Sequence, residues 1–160
     1  MLVSLKEFAA TGTFGPVTLG CPRSDLERHL GAPEDLGGTS RKVRRPTIWK
    51  YGDVEFCFPS PGDALDMIHI DRFSGPGAVP IGWRALSIDP WVLRRGLARQ
   101  DFCREADAAT LPYTARYDES MEQWIVEFTA GVSLGFLDEP DGFSDLIGLA
   151  WVAQYQRRGT

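Results

Sequence analysis

Cys57 and His69 are the pair of side chains whose types could do covalent chemistry in this chain. A thiolate beside an imidazole makes a nucleophile and its base when the two lie within hydrogen-bonding reach. That pairing implies a hydrolase-like enzyme, but no third residue is evident to orient the imidazole. His29 falls between Leu26 and Leu30 on a helical stretch, where surface placement is the ordinary outcome. Two histidines and three scattered cysteines, Cys21, Cys57 and Cys103, lack the spacing of a zinc site or a CxxC redox motif. No Walker A, dinucleotide-binding glycine pattern, HExxH or GxSxG string occurs, so the sequence points to no cofactor and to a non-enzymatic protein.

Charge is the second source of chemistry. The run Arg41-Lys42-Val43-Arg44-Arg45 could touch phosphates, yet the whole chain carries −5 and is a poor candidate for nucleic acid. Residues 101–145 hold eleven acidic side chains against Arg104 and Arg116, a segment of −9. Such a segment either keeps a surface solvated or attracts a basic protein partner. No apolar run reaches the ~20 residues needed to cross a bilayer, so no membrane is expected. Thr18-Leu19-Gly20-Cys21 is faintly like a lipoprotein cleavage site, but Lys6, Glu7, Gly12, Gly15 and Pro16 interrupt any apolar leader. Together with the three cysteines, this leads to an expectation of a cytoplasmic protein.

The elements that position these residues follow from spacing. Ser4 to Glu7 has capping-box spacing and predicts a short first helix. Val17-Thr18-Leu19 reads as a strand leading into a helix with Pro22 at its first position and Ser24 to Glu27 as a second capping box. Leu26 and Leu30 share a face of that helix, Gly31 suits its left-handed C-terminal position, and Pro33 prevents continuation. A two-residue turn at Gly52-Asp53 then pairs Tyr51 with Val54, Trp49 with Phe56 and Thr47 with Phe58. Alternation puts the aromatic and aliphatic side chains on one face and the Lys50/Glu55 pair on the other. In Asp66–Ile70, Ile68 and Ile70 point inward, Met67 and His69 outward.

The second half reads as the same plan. Arg84–Ile88 is the lead-in strand, and Asp89-Pro90 begins a helix carrying Leu93 and Leu97. Residues 123–128 and 132–136 form a hairpin over Thr129-Ala130-Gly131, with Phe128 opposite Val132, Val126 opposite Leu134 and Trp124 opposite Phe136. Asp138–Gly142 is a turn and Asp145–Val152 the closing strand. Trp49 and Trp124 face the core; Trp83 and Trp91 are the better candidates for exposed anchors. The expected fold class is α+β, with two tandem strand–helix–hairpin–strand repeats forming an antiparallel sheet and helices on one face. The first repeat spans residues 1–75 and the second 76–160, joined near Ser74-Gly75-Pro76-Gly77 in one compact unit.

The pattern Gly20-x5-Leu26-x3-Leu30-Gly31-x-Pro33, followed by Trp49-x-Tyr51 and a hairpin, resembles the helix–LGxP–hairpin module of the beta-lactamase-inhibitor-protein-like fold. That fold includes small outer-membrane assembly lipoproteins. The resemblance covers residues 13–71, and more loosely 79–152, where the turn reads Leu97-Ala98-Arg99-Gln100. A tandem pair implies a sheet that grips a protein partner, although the disulfides of the secreted inhibitors have no counterpart here. Leu5-x2-Phe8-x2-Thr11-Gly12-x-Phe14-Gly15, with Tyr51–Phe56, is similar to uncharacterised bacterial proteins suspected of being immunity proteins.

The functional expectation is therefore an immunity- or inhibitor-type binding protein that masks a basic partner such as a toxin. Its contact residues would be Lys50, Glu55, His69, Glu127, Asp138, Glu139 and Asp141, with Met67 and Ile125 on the same outer face. The alternatives to this reading are a small-molecule or peptide binder using a cleft between the repeats and, after it, a hydrolase-like enzyme using Cys57 and His69. The sequence leaves the oligomeric state open.

Overall fold

The structure is a computed structural model that describes residues 1–59, 62–70, 79–138 and 144–152, with backbone only for 138 and 144–152. The expected junction at 74–77 lies outside the described residues. The fold is α+β. Among the described residues three helices, α1 (Leu5–Thr11), α2 (Arg23–Leu30) and α3 (Arg99–Ala108), accompany ten strands. A small parallel pair joins β1 (Leu2–Ser4) to β6 (Ser87–Asp89). The other eight strands form one antiparallel sheet: β2 (Asp35–Gly37), β3 (Ile48–Tyr51), β4 (Val54–Cys57), β5 (Met67–Ile70), β7 (Tyr113–Asp118), β8 (Gln123–Phe128), β9 (Val132–Asp138) and β10 (Ser144–Val152). Their spatial order is β2-β3-β4-β5-β10-β9-β8-β7. Each half of the sheet is a meander, and β5 against β10 joins the halves.

Short-range registers agree with expectation. Tyr51 pairs with Val54, Trp49 with Phe56 and Lys50 with Glu55, while the Phe58 amide reaches the Thr47 carbonyl at 2.7 Å. The second hairpin pairs Trp124 with Phe136 and Val126 with Leu134, and Gly131 closes its loop at φ +84°. Tyr51, Val54, Phe56, Phe58, Ile68, Ile70, Val126, Phe128, Val132, Leu134 and Phe136 are all buried. They share one core with Leu5 and Phe8 of α1, Leu26 and Leu30 of α2, and Phe102 and Ala106 of α3. Phe14 sits edge-on between Phe8 and Phe56, and Phe102 packs against Phe128 and Phe136, so aromatic rings join helix to sheet in both halves.

Helix boundaries depart from expectation in instructive ways. In α2, Pro22 is the extended N-cap rather than the first helical residue, and no side chain caps the helix. The Pro22 carbonyl instead accepts the Asp25 and Leu26 amides. Gly31 ends α2 at φ +77°, ψ −166°, a backbone region open essentially to glycine, with its amide on the Glu27 carbonyl. Ser4 caps α1 by position only, without a side-chain hydrogen bond. Val17-Thr18-Leu19 is no strand; Phe14 and Val17 close a single bridge.

The largest correction concerns residues 90–97, which form successive turns instead of a helix. The Asp89 carboxylate takes the Trp91 amide at 3.1 Å, an Asx turn that competes with helix initiation. Trp91 and Gly96 both hold positive φ, at 54° and 81°. Leu93 and Leu97 are buried all the same, because single turns at Pro90–Leu93 and Arg94–Leu97 point both inward. The helix begins after them, so Leu97-Ala98-Arg99-Gln100 starts α3 and is not a turn that ends a helix. The Arg84–Ile88 strand likewise shrinks to Ser87–Asp89 and pairs with β1, outside the main sheet.

Candidate functional site

Cross-strand register puts four of the expected contact residues in one line. Asp35 pairs with Lys50, Lys50 with Glu55, Glu55 with His69, His69 with Ala150, Ala150 with Ser133, Ser133 with Glu127, and Glu127 with Thr114. This rank crosses all eight strands, on the sheet face opposite the buried aromatic residues. Lys50, Glu55, His69 and Glu127 are brought together as members of it. The Lys50 ammonium lies 3.0 Å from Glu55 Oε1, with the two side chains 25% and 18% exposed. Partial burial screens this pair less than a surface ion pair and orients both groups. Met67 and Ile125 occupy the same face, half-buried. Asp138 ends β9 beyond the rank, while Glu139 and Asp141 lie outside the described residues.

The nucleophile idea fares differently. Register places Cys57 opposite Met67 and His69 opposite Glu55, so the thiol and imidazole are diagonal neighbours. Diagonal Cβ atoms lie somewhat under ~7–8 Å apart, farther than directly paired residues. His29 is an exposed residue of α2. Trp83 and Trp91 are half-buried against the core and do not project as anchors, with Trp91 edge-on to Phe102 at 5.6 Å.

A second arrangement was not singled out from sequence. Arg23, the first residue of α2, is only 3% exposed. Its guanidinium carbon lies 4.0 Å from the Phe58 ring centre and 5.3 Å from that of Trp49. A cation at a helix N-terminus opposes the helix dipole by roughly 0.3–1 kcal/mol, so stacking and ion pairing must offset that term. Arg23 Nε sits 3.2 Å from Asp63 Oδ1, the same oxygen that Arg45 approaches at 2.7 Å. Two guanidiniums thus share one carboxylate oxygen. Neither Nε nor Nη1 of Arg23 makes a hydrogen bond among the described residues. Burial and the charge of Arg45 lower the Arg23 pKa, with Asp63 opposing them.

Local backbone structure holds this corner together. The Gly20 amide reaches the Leu65 carbonyl, the Leu65 amide the Cys21 carbonyl and the Arg23 amide the Asp63 carbonyl, so the start of α2 and residues 63–65 form a short ladder. Ser40 Oγ accepts the Lys42 and Val43 amides, folding the basic run into a tight turn. Arg23, Lys42, Val43, Arg44, Arg45, Thr47, Pro59 and Gly62 line a cavity of about 210 Å³. The basic run was the available sequence signal; the buried Arg23 had none.

The other half carries a related contact. Arg99, the first residue of α3, places its guanidinium carbon 3.9 Å from the centre of the Trp124 ring. No family model matches the chain, and no curated protein or solved structure matches it either.

Proposed function

We propose that this chain is a non-enzymatic binding protein whose sheet face opposite the aromatic core docks onto a protein partner, as an inhibitor or immunity protein would. The observation that carries the reading is the rank Lys50–Glu55–His69–Ala150–Ser133–Glu127 across the sheet, polar at every position but Ala150. A broad, ordered array of polar groups suits recognition of a surface, since complementary charges set register and steer encounter. Residues 101–138 add eight acidic side chains against two basic ones, which favours a basic partner and a salt-sensitive association rate.

The reading includes two tandem units, each a helix followed by a four-stranded meander. Its support is the order α2-β2-β3-β4-β5 followed, after β6, by α3-β7-β8-β9-β10. The buried helix pairs Leu26/Leu30 and Phe102/Ala106 occupy matching places, and Trp49 and Trp124 each carry the arginine that begins the preceding helix. Kinship with the beta-lactamase-inhibitor-protein-like fold is part of the proposal, resting on the LGxP turn and the hairpin motif.

The test is affinity capture with the purified protein at low and high salt, run beside Glu127→Lys and Glu55→Lys variants. A stoichiometric basic partner, released by salt and lost by Glu127→Lys, is the expected result. Capture that is indifferent to both substitutions discards this face.

A further inference from the structure

The basic corner is independent of that docking face, being built on the aromatic side of the sheet at its β2–β3 edge. We infer that its cavity is a binding site for a phosphate group, with Arg23 as the floor and Lys42, Arg44 and Arg45 around the mouth.

Four cationic side chains line the cavity, and among the described residues one carboxylate, Asp63, pairs with two of them, Arg23 and Arg45. Lys42 and Arg44 make no ion pair among the described residues, so the corner carries a surplus of positive charge. Arg23 makes the surplus specific. A buried guanidinium with unsatisfied N–H groups is costly to leave so, and an oxyanion within reach removes that cost. The exposed Arg45 is tied to Asp63 and can turn to a ligand without disturbing the core. Arginine presents its donors in a planar fork that matches phosphate oxygens.

Size and charge select among anions. The cavity, about 210 Å³, is below the ~300–1,000 Å³ of sites for drug-sized molecules and suits one compact group. A phosphate monoester carries about −1.5 to −2 at neutral pH and answers the surplus better than a single carboxylate. A pocket with a buried floor also differs from the open basic groove that tracks a nucleic-acid strand. Free phosphate and a phosphorylated small molecule share this chemistry.

The experiment is isothermal calorimetry on the full chain at constant ionic strength, with inorganic phosphate and glycerol phosphate as separate probes and acetate as the carboxylate control. Saturable binding of at least one phosphate probe is expected, and the tighter probe identifies the source. Arg45→Gln and Lys42→Gln alter exposed side chains and leave the fold intact; each should weaken binding roughly three- to tenfold. Asp63→Asn should tighten it, because it removes the internal competitor for Arg23 and Arg45. Binding of the monoester should also weaken between pH 8 and pH 5, as its second ionisation near pH ~6 is lost. No saturable heat, equal affinity in every variant, or acetate binding as tightly as phosphate would each overturn the assignment. So would oligonucleotide binding that grows with length and resists competition by inorganic phosphate, since that describes a strand-binding surface.

Discussion

Arg23 on Trp49 and Arg99 on Trp124 are two versions of one contact, and their surroundings differ in every respect that matters for chemistry. Each arginine opens a helix and lies over a strand tryptophan that also meets another ring edge-on, the diagonal Phe58 for Trp49 and the directly paired Tyr117 for Trp124. Arg23 sits closer to Phe58 than to Trp49. Arg23 is buried and shares Asp63 with Arg45, under a loop carrying two more cations. Arg99 is half-buried, in a half of the chain rich in carboxylates. The strand below differs too. Tyr51, two residues after Trp49, donates its hydroxyl to the Gly31 carbonyl at 2.8 Å and so ties the sheet to the end of α2. Val126 stands in the matching place after Trp124 and has no such donor. A shared stacking contact is therefore structural in both halves, and the loops around it decide whether the arginine becomes part of a site.

The largest expected effect tests what the halves have in common. Trp49→Ala and Trp124→Ala should each cost about 2–3 kcal/mol in urea denaturation, somewhat below the value for a fully buried tryptophan because both rings are half-buried. A loss under ~1 kcal/mol at either position would remove the equivalence of the two contacts.

The next effect is confined to the first half. Tyr51→Phe should cost about 1 kcal/mol through the lost hydrogen bond to Gly31. Burial first, then the carboxylate of Glu27, pushes the Tyr51 pKa from 10.0 up to about 12. A raised folded-state pKa means that the stabilisation is complete below pH 10 and is lost as pH rises toward 12. Tyr113, held up by its hydrogen bond with Cys103, by burial and by the charge of Asp107, adds to the same alkaline loss. The substitution should therefore reduce the slope of stability against pH in that window without abolishing it. An unchanged slope would show that Tyr51 is not the titrating group.

The arginines themselves should diverge. Arg99→Met should cost under ~1 kcal/mol, the scale of a partly exposed cation–π contact. Arg23→Met should be neutral or stabilising, since an apolar side chain of similar length avoids burying a charge. Thermal unfolding of the two variants checks the contrast; a large loss on Arg23→Met would mean that the Asp63 pair outweighs desolvation.

The smallest effect belongs to the acidic half. Hydrogen bonds from Ser120 and the Arg116 guanidinium lower the Asp118 pKa from 3.8 to about 2. A depressed pKa contributes stability that is present above pH 3.8 and lost as pH falls toward 2. Asp118→Asn should slightly flatten acid unfolding in that range, and only there.

Much of the local structure was legible because its causes are local. Alternation, the two-residue Gly52-Asp53 turn and the Gly131 loop specify both hairpins within a few residues, and each register is the one observed. The Gly52 turn has a further constraint that no local rule shows. At φ +68°, a Cβ there would lie 2.5 Å from the Ile81 carbonyl oxygen, so the turn also needs glycine for a distant neighbour. Residues 90–97 form turns in place of the expected helix for a physical reason as well. Leucines four apart satisfy a helical period, but the side chain of Asp89 and the positive φ of Gly96 turn the same residues inward without a helix.

By itself, then, the sequence determined the hairpins, the α2 terminus at Gly31, the alternating faces and the Lys50–Glu55 pair, all of which depend on side-chain periodicity and turn chemistry at short separation. Only the tertiary structure decided what lies beside what across longer spans. It joined β5 to β10, extended Lys50 and Glu55 into a rank reaching Glu127, and gathered Arg23, Arg45 and Asp63 at one point. Those meetings depend on how the core closes. Burial of the shared aromatic interior brings distant segments together, and the polar groups carried with them meet as a consequence of that packing.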